Sequence, residues 1–204
     1  VRLHVASSLD TIDGAERAVA AGSEGLRVLP DAHEVSIRYG TGDYADCRVD
    51  RLLGVRYVAV CSPELLRCMR PLRVPSDICH HLLIHDDTIL DERERPSWRE
   101  WCRLAGVTEV DADAGPHFSD SGLALSAAVD GMGLVLASRP LIDAEIQAGR
   151  LVAPFDVAIV PRFAYYLVAP RAIADRPAVA GFRTWLLREA RKSRSRPANR
   201  APAR

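Results

Sequence analysis

The chain has 204 residues, 48% of them hydrophobic and 26% charged, the make-up of a globular protein able to bury one core or two small ones. There is no apolar run of about 18 residues and no basic stretch leading into an apolar segment at the N-terminus, so neither a membrane span nor a secretion signal is expected, and the expected location is the cytoplasm. With 27 basic against 27 acidic side chains the formal net charge is +0, and the body of the chain lacks the concentrated positive face that duplex nucleic acid requires.

Val1 to Ala6 alternates apolar and polar residues, which predicts a half-buried strand closed by Ser7 and Ser8. The Ala-rich stretch from Asp10 to Ala21 predicts a helix stopped by Gly22 and Gly25. Strands are predicted over 34–39, ahead of the turn chemistry of 40–43, and again over 48–53 and 56–61. Ser62 and Pro63 stand where an N-cap and first helical residue belong. Residues 82–85 read as a short strand, 98–104 as a helix ended at Gly106, and 116–118 as extended. Trp98 and Trp101, three apart, both face the core of that helix.

The clearest element follows. Ser119 or Asp120 caps a helix whose Leu123, Ala124, Ala127 and Ala128 fall at helical spacing before Gly131. A buried strand over 134–137, a helix from Pro140 to Gln147, strands over 151–153 and 165–169, and a helix from Pro177 to Ala190 with Val179, Phe182, Trp185 and Leu186 on one face complete the series. Alternating strands and helices predict an α/β architecture, a mostly parallel sheet with helices on both faces. Residues 191–204 are too polar and basic to pack and are expected to form a disordered tail.

Five cysteines (Cys47, Cys61, Cys68, Cys79, Cys102) carry no C-x-x-C pair and no zinc-like spacing against the histidines, which suits free, half-buried thiols. Cys79, His80, His81, His85 and Asp86 crowd a short span, yet no helical or strand spacing turns them into a tetrahedral site. No metal, cofactor or catalytic constellation is expected, and the chain is read as no enzyme.

The blocks EVSIRYGTGDYADCRVDRLL (34–53), VAVCSPELL (58–66), PLRVPSDICHHLLIHDD (71–87), WREWCRLAGV (98–107), HFSDSGLALSAAVDGMGLVLASRPLI (117–142), GRLVAPF (149–155) and YYLVAP (165–170) stand in an order and spacing that resemble the effector-binding domain of LysR-type transcription regulators. The branch that looks most similar holds the glycine-cleavage activator and the β-lactamase regulator. The resemblance implies a type 2 periplasmic-binding-protein-like fold of two subdomains joined by two crossover strands, with 1–61 and 162–190 in one subdomain, 62–161 in the other and 191–204 as the tail. It further implies a ligand cleft between the subdomains, where strand ends and helix N-termini favour small polar groups.

Carried over position by position, the resemblance implies effector contacts at Ser7 and Ser8, at Asp43 in the turn after the IRYG block, at Asp120 and Ser121, and at Tyr165 or Tyr166. Each has an ordinary role as well. Asp120 and Ser121 begin a helix whatever else they do, Arg38 and Asp43 suit a surface pair, and Tyr165 and Tyr166 point to opposite sides of a strand. The implied partners are a small polar effector, a second copy or a tetramer, and DNA only through an N-terminal domain not in this chain, with no membrane. The family's first strand and helix are expected to be missing through truncation or rewritten into 1–22. The alternatives are a type 2 solute-binding protein and a truncated, non-functional regulator fragment.

Overall fold

A computed structural model describes residues 35–89 and 92–194. The predicted strand at 1–6, the helix at 10–21, Ser7, Ser8 and residues 195–204 lie outside the described residues. The chain divides into two compact units, one of segments ending at Gly54 and beginning again at Arg162, the other of Val55–Pro161.

In the first unit, β1 (Ser36–Gly40) and β2 (Cys47–Gly54) flank the last strand, β8 (Ala164–Pro170), and both pair with it antiparallel. This corrects the mostly parallel sheet read from alternation. A six-residue turn joins β1 to β2, too short for a crossover helix, and the strand between them arrives from the far end of the sequence. The short helix α4 (Arg171–Ala174) follows β8, and α5 (Pro177–Arg194) runs four residues past the expected end at Ala190.

On α5, Val179, Phe182 and Leu186 are half-buried while Trp185 keeps 49% of its surface exposed. The helix is fastened to β2 by the Arg183 guanidinium, whose Nε and Nη2 both donate to the Asp50 carboxylate. Both side chains are largely sheltered, at 27% and 16% exposure. Asp50→Asn should therefore lower the stability of this unit by about 1–2 kcal/mol in urea unfolding. A change indistinguishable from zero would show that solvent screens the pair.

The second unit holds a mixed sheet in the order β5-β4-β6-β3-β7, comprising β3 (Tyr57–Val60), β4 (Leu83–Asp86), β5 (His117–Phe118), β6 (Leu134–Ser138) and β7 (Ala158–Ile159). Strands β5, β4 and β6 are parallel, and β3 is antiparallel to β6 and β7. Its helices are α1 (Trp98–Ala105), α2 (Ser121–Val129) and α3 (Arg139–Gln147). Period-two alternation splits the core. Ala59, Leu83, Leu134 and Leu136 join Trp98 and Trp101 of α1 on one face. Val60, Ile84 and Val135 join Ala124 and Ala128 of α2 and Ile142 and Ile146 of α3 on the other. Strands covered on both sides must be apolar throughout, which is why LVLA over 134–137 reads as a continuous run.

Two elements are smaller than the sequence suggested. Ser62 does cap, accepting from Glu64 N, but the turn it starts is a 3₁₀ helix of only four residues, Pro63–Leu66. The strand expected over 151–153 is reduced to a single bridge between Cys61 and Val152. A second 3₁₀ helix, Pro75–His80, is held by Asp77, which accepts from the backbone N–H groups of Arg73 and Val74 at 2.7 and 2.8 Å. Those two bonds, that from Val74 having the larger effect, hold the Asp77 carboxyl below its usual range.

Candidate functional site

Parallel strands end together, and the end of β4 and β5 meets the start of α2. Asp120, with extended backbone, is the N-cap, its Oδ1 accepting from Leu123 N at 2.9 Å. Of the two residues the sequence offered for the cap, Asp120 takes the role and Ser119 does not. Helix geometry leaves the first-turn N–H groups of Ser121 and Gly122 without intrahelical acceptors, at the positive end of the helix.

Ser121 Oγ lies 2.6 Å from Asp86 Oδ2 and 3.0 Å from Thr88 Oγ1. Its single proton goes to the carboxylate, so it accepts from the threonine. The other Asp86 oxygen accepts from Thr88 N at 3.0 Å. Asp87, the next residue along, accepts from Arg95 Nη1 at 2.8 Å and lies 2.9 Å from His117 Nδ1. Asp87 therefore has cationic and imidazole partners, whereas among the described residues Asp86 is bound by hydroxyl and amide. Asp120 and Ser121 are both exposed. The result is an accessible polar group offering free N–H donors beside two carboxylates, those of Asp86 and Asp120.

Sequence reading named Asp120 and Ser121, weighed Asp86 only as part of a metal span it set aside, and missed Asp87, Thr88, Arg95 and His117. The available signal was positional: Asp86 and Phe118 end neighbouring parallel strands, and such ends gather polar groups.

Alongside, the rings of His85 and His117 stack at 4.2 Å between centroids and 10° between planes. His85 Nε2 lies 3.4 Å from the Ala114 carbonyl oxygen. Burial pushes the His85 imidazole below its ordinary value, the Ala114 carbonyl opposing that and His117 adding to it.

In the first unit, Asp43 is exposed in the turn after β1. Arg38 does not turn to it: its Nε donates to Ser36 Oγ at 2.9 Å and its guanidinium lies 5.2 Å from the centre of the Tyr44 ring. The two tyrosines do occupy opposite faces of β8. Tyr165 packs on Tyr39 at 5.1 Å between ring centres, and burial raises its phenol above the usual range. Tyr166 joins Tyr44, Cys47 and Val168, its ring so close over Gly42 that a Cβ there would stand 2.6 Å from Tyr166 Cζ. Both are half-buried.

The crowded span at 79–86 comes apart in three dimensions. Cys79 is exposed, 3.5 Å from His80 Nδ1, which Arg70 Nη1 approaches to 3.0 Å, while His81 Nε2 lies 2.8 Å from the Arg70 carbonyl oxygen. His85 belongs to the stack on β4. Cys47, Cys61 and Cys102 are buried, and burial pushes the Cys61 thiol up to about 12. Among the described residues no three His, Cys, Asp or Glu side chains converge as a metal cage would require, and no helix is long and apolar enough to cross a membrane.

Residues 16–191 match the family model described as the LysR substrate binding domain. The glycine cleavage system transcriptional activator of Escherichia coli (strain K12) is 38% identical over 162 residues, 79% of this chain and 51% of that protein. The HTH-type transcriptional activator AmpR of Providencia stuartii is 28% identical over 167 residues, 82% of this chain and 53% of that one. This chain thus spans about half the length of the curated relatives it matches. Among solved structures, the AmpR effector binding domain from Citrobacter freundii superposes with a TM-score of 0.63 at 24% identity, covering 87% of this chain and 89% of that one.

Proposed function

Because the chain belongs to the LysR substrate binding domain family and has that family's type 2 periplasmic-binding-protein-like fold, we propose that its ligand-sensing role is exercised on a small zwitterion such as an amino acid, held at the start of α2. The observation that carries this reading is the arrangement there: the free first-turn N–H groups of Ser121 and Gly122 suit a carboxylate, and the Asp86 and Asp120 carboxylates, the first oriented by the Ser121 hydroxyl, suit an ammonium group. The relatives named above are transcriptional regulators, and no bond need be made or broken for sensing. The ligand acts by binding one of two arrangements of the protein more tightly than the other. The first unit has its own candidates, Asp43, Tyr165 and Tyr166, as polar contacts for an effector. DNA binding through a further domain, self-association and action in the cytoplasm belong to the same proposal for the whole regulator.

The test is a thermal-shift and calorimetric screen of the twenty free amino acids and of simple dicarboxylates on the chain. Asp120→Asn keeps a competent cap while removing charge, and Ser121→Ala removes the hydroxyl. A zwitterionic hit should lose about tenfold or more in affinity in each variant, the scale of one hydrogen bond to a charged group. Unchanged affinity in both, or a preference for dicarboxylates lacking an amine, would overturn the reading.

A further inference from the structure

We propose that the stacked imidazoles of His85 and His117 make the seating of β5, and with it the first turn of α2, dependent on pH, so that acidification through the histidine range loosens the polar group at the start of α2. Its consequence for ligand sensing rests on the effector assignment above. The structural device itself rests only on the strand pair.

β5 is two residues long and lies at the edge of the sheet, bonded to β4 alone. Its backbone is held through His85 N donating to Pro116 O at 2.9 Å and Asp87 N donating to Phe118 O at 2.8 Å. Opposite residues His85 and His117 are directly paired in the parallel register. Two neutral rings at 4.2 Å stack favourably, whereas two imidazolium rings at that separation repel. Two residues, Ser119 and the Asp120 cap, separate Phe118 of β5 from Ser121 of α2, so a displaced β5 pulls on the cap.

The surroundings limit how well a charge on the pair is compensated. Asp87 is already shared: Oδ1 with Arg95, leaving Oδ2 to His117. Asp113, in the segment before β5, is paired with Arg99 of α1. Asp86 alternates to the other face of β4, toward Ser121 and the Asp120 cap. A proton on His85 therefore meets the Ala114 carbonyl and the partner ring directly, and is favoured by Asp87 and Asp113 only at a distance, behind the larger opposing effect of burial.

Burial, the largest influence, holds the seated His85 imidazole below its ordinary value of 6.5. With β5 lifted, the ring regains that ordinary value, so the open form binds more protons. Seating is thus fully favoured above about pH 6.5 and is lost progressively as the pH falls below it.

Amide hydrogen exchange on the whole chain at pH 7.5 and 5.5, corrected for intrinsic rates and without any ligand, tests this. Protection at the His85, Asp87 and Leu123 amides should fall toward about tenfold at pH 5.5, the ceiling for one imidazole with an ordinary open-state value, while Leu136 in the central strand stays unchanged. His85→Phe keeps a ring in the stack but takes no proton, and should abolish the fall. A pH-independent wild type, or a fall that persists in His85→Phe, overturns the proposal. If that variant does not fold, ring titration of wild-type His85 by NMR decides: its midpoint should match that of the Leu123 amide, and separate midpoints overturn the coupling. Because no ligand is present, this result stands or falls independently of the effector assignment.

Discussion

Replacing Trp98 with alanine should destabilise the second unit by about 3–5 kcal/mol, the range for removing a fully enclosed aromatic side chain from a core. Trp98 is 1% exposed, and its ring meets that of Trp101 edge-on at 5.7 Å. Trp101, itself 0% exposed, passes the contact on to Phe155, also 5.7 Å between centres. The indole N–H of Trp98 donates to the Ile84 carbonyl at 2.9 Å, tying α1 to the strand that leads to Asp86. Trp98→Phe separates the contributions: it keeps most of the apolar contact but leaves that carbonyl without its donor, and should cost about 1–2 kcal/mol. Urea unfolding followed by circular dichroism measures both. An alanine variant within about 1 kcal/mol of wild type would mean that the core collapses around the gap or that Trp98 is not enclosed.

The second large effect is expected at Gly115. Its φ of +139° is a conformation that side chains rarely adopt, and a Cβ there would stand 1.9 Å from the Leu83 carbonyl oxygen, a backbone atom with nowhere to move. The backbone conformation alone costs a substituted residue about 1–3 kcal/mol, and the collision adds to it. Gly115→Ala should thus push the segment leading into β5 away from β4. The His85 and Asp87 amides, which donate to Pro116 and Phe118, should then exchange rapidly even at pH 7.5, and the unit should melt earlier. Binding of any ligand captured at the start of α2 should weaken at the same time. Wild-type exchange at His85 and Asp87 in this variant would show that β5 is not seated through this contact.

Features that depend on neighbours in the chain were legible in advance. The helical spacing of Leu123, Ala124, Ala127 and Ala128 placed α2. A capping residue just before it placed the functional end of that helix, and the i, i+3 spacing of Trp98 and Trp101 put both in the core. The same local reasoning erred where a neighbour in space decides. Ser62 and Pro63 are a sound helix start, yet the helix stops after Leu66, since a start signal says nothing about how many turns follow. Cys79, given a half-buried role with the other cysteines, is exposed, because no short-range pattern fixes which side of a 3₁₀ turn meets the core.

What the sequence determined by itself is most of the longer strands and helices between residues 36 and 190, the Asp120 cap, and the ordered series of blocks that carries the family, because these follow from periodicity and turn chemistry over a few residues; the short pieces at 75–80, 158–159 and 171–174 were not read. The tertiary structure alone decided strand direction, β1 and β2 both running antiparallel to β8. It also decided which polar groups meet: Asp86 with Ser121, Asp87 with Arg95 and His117, and His85 with His117. Such partners lie up to 35 residues apart, and what brings them together is the burial of two apolar faces of one sheet, an energy summed over the whole unit that no local window contains.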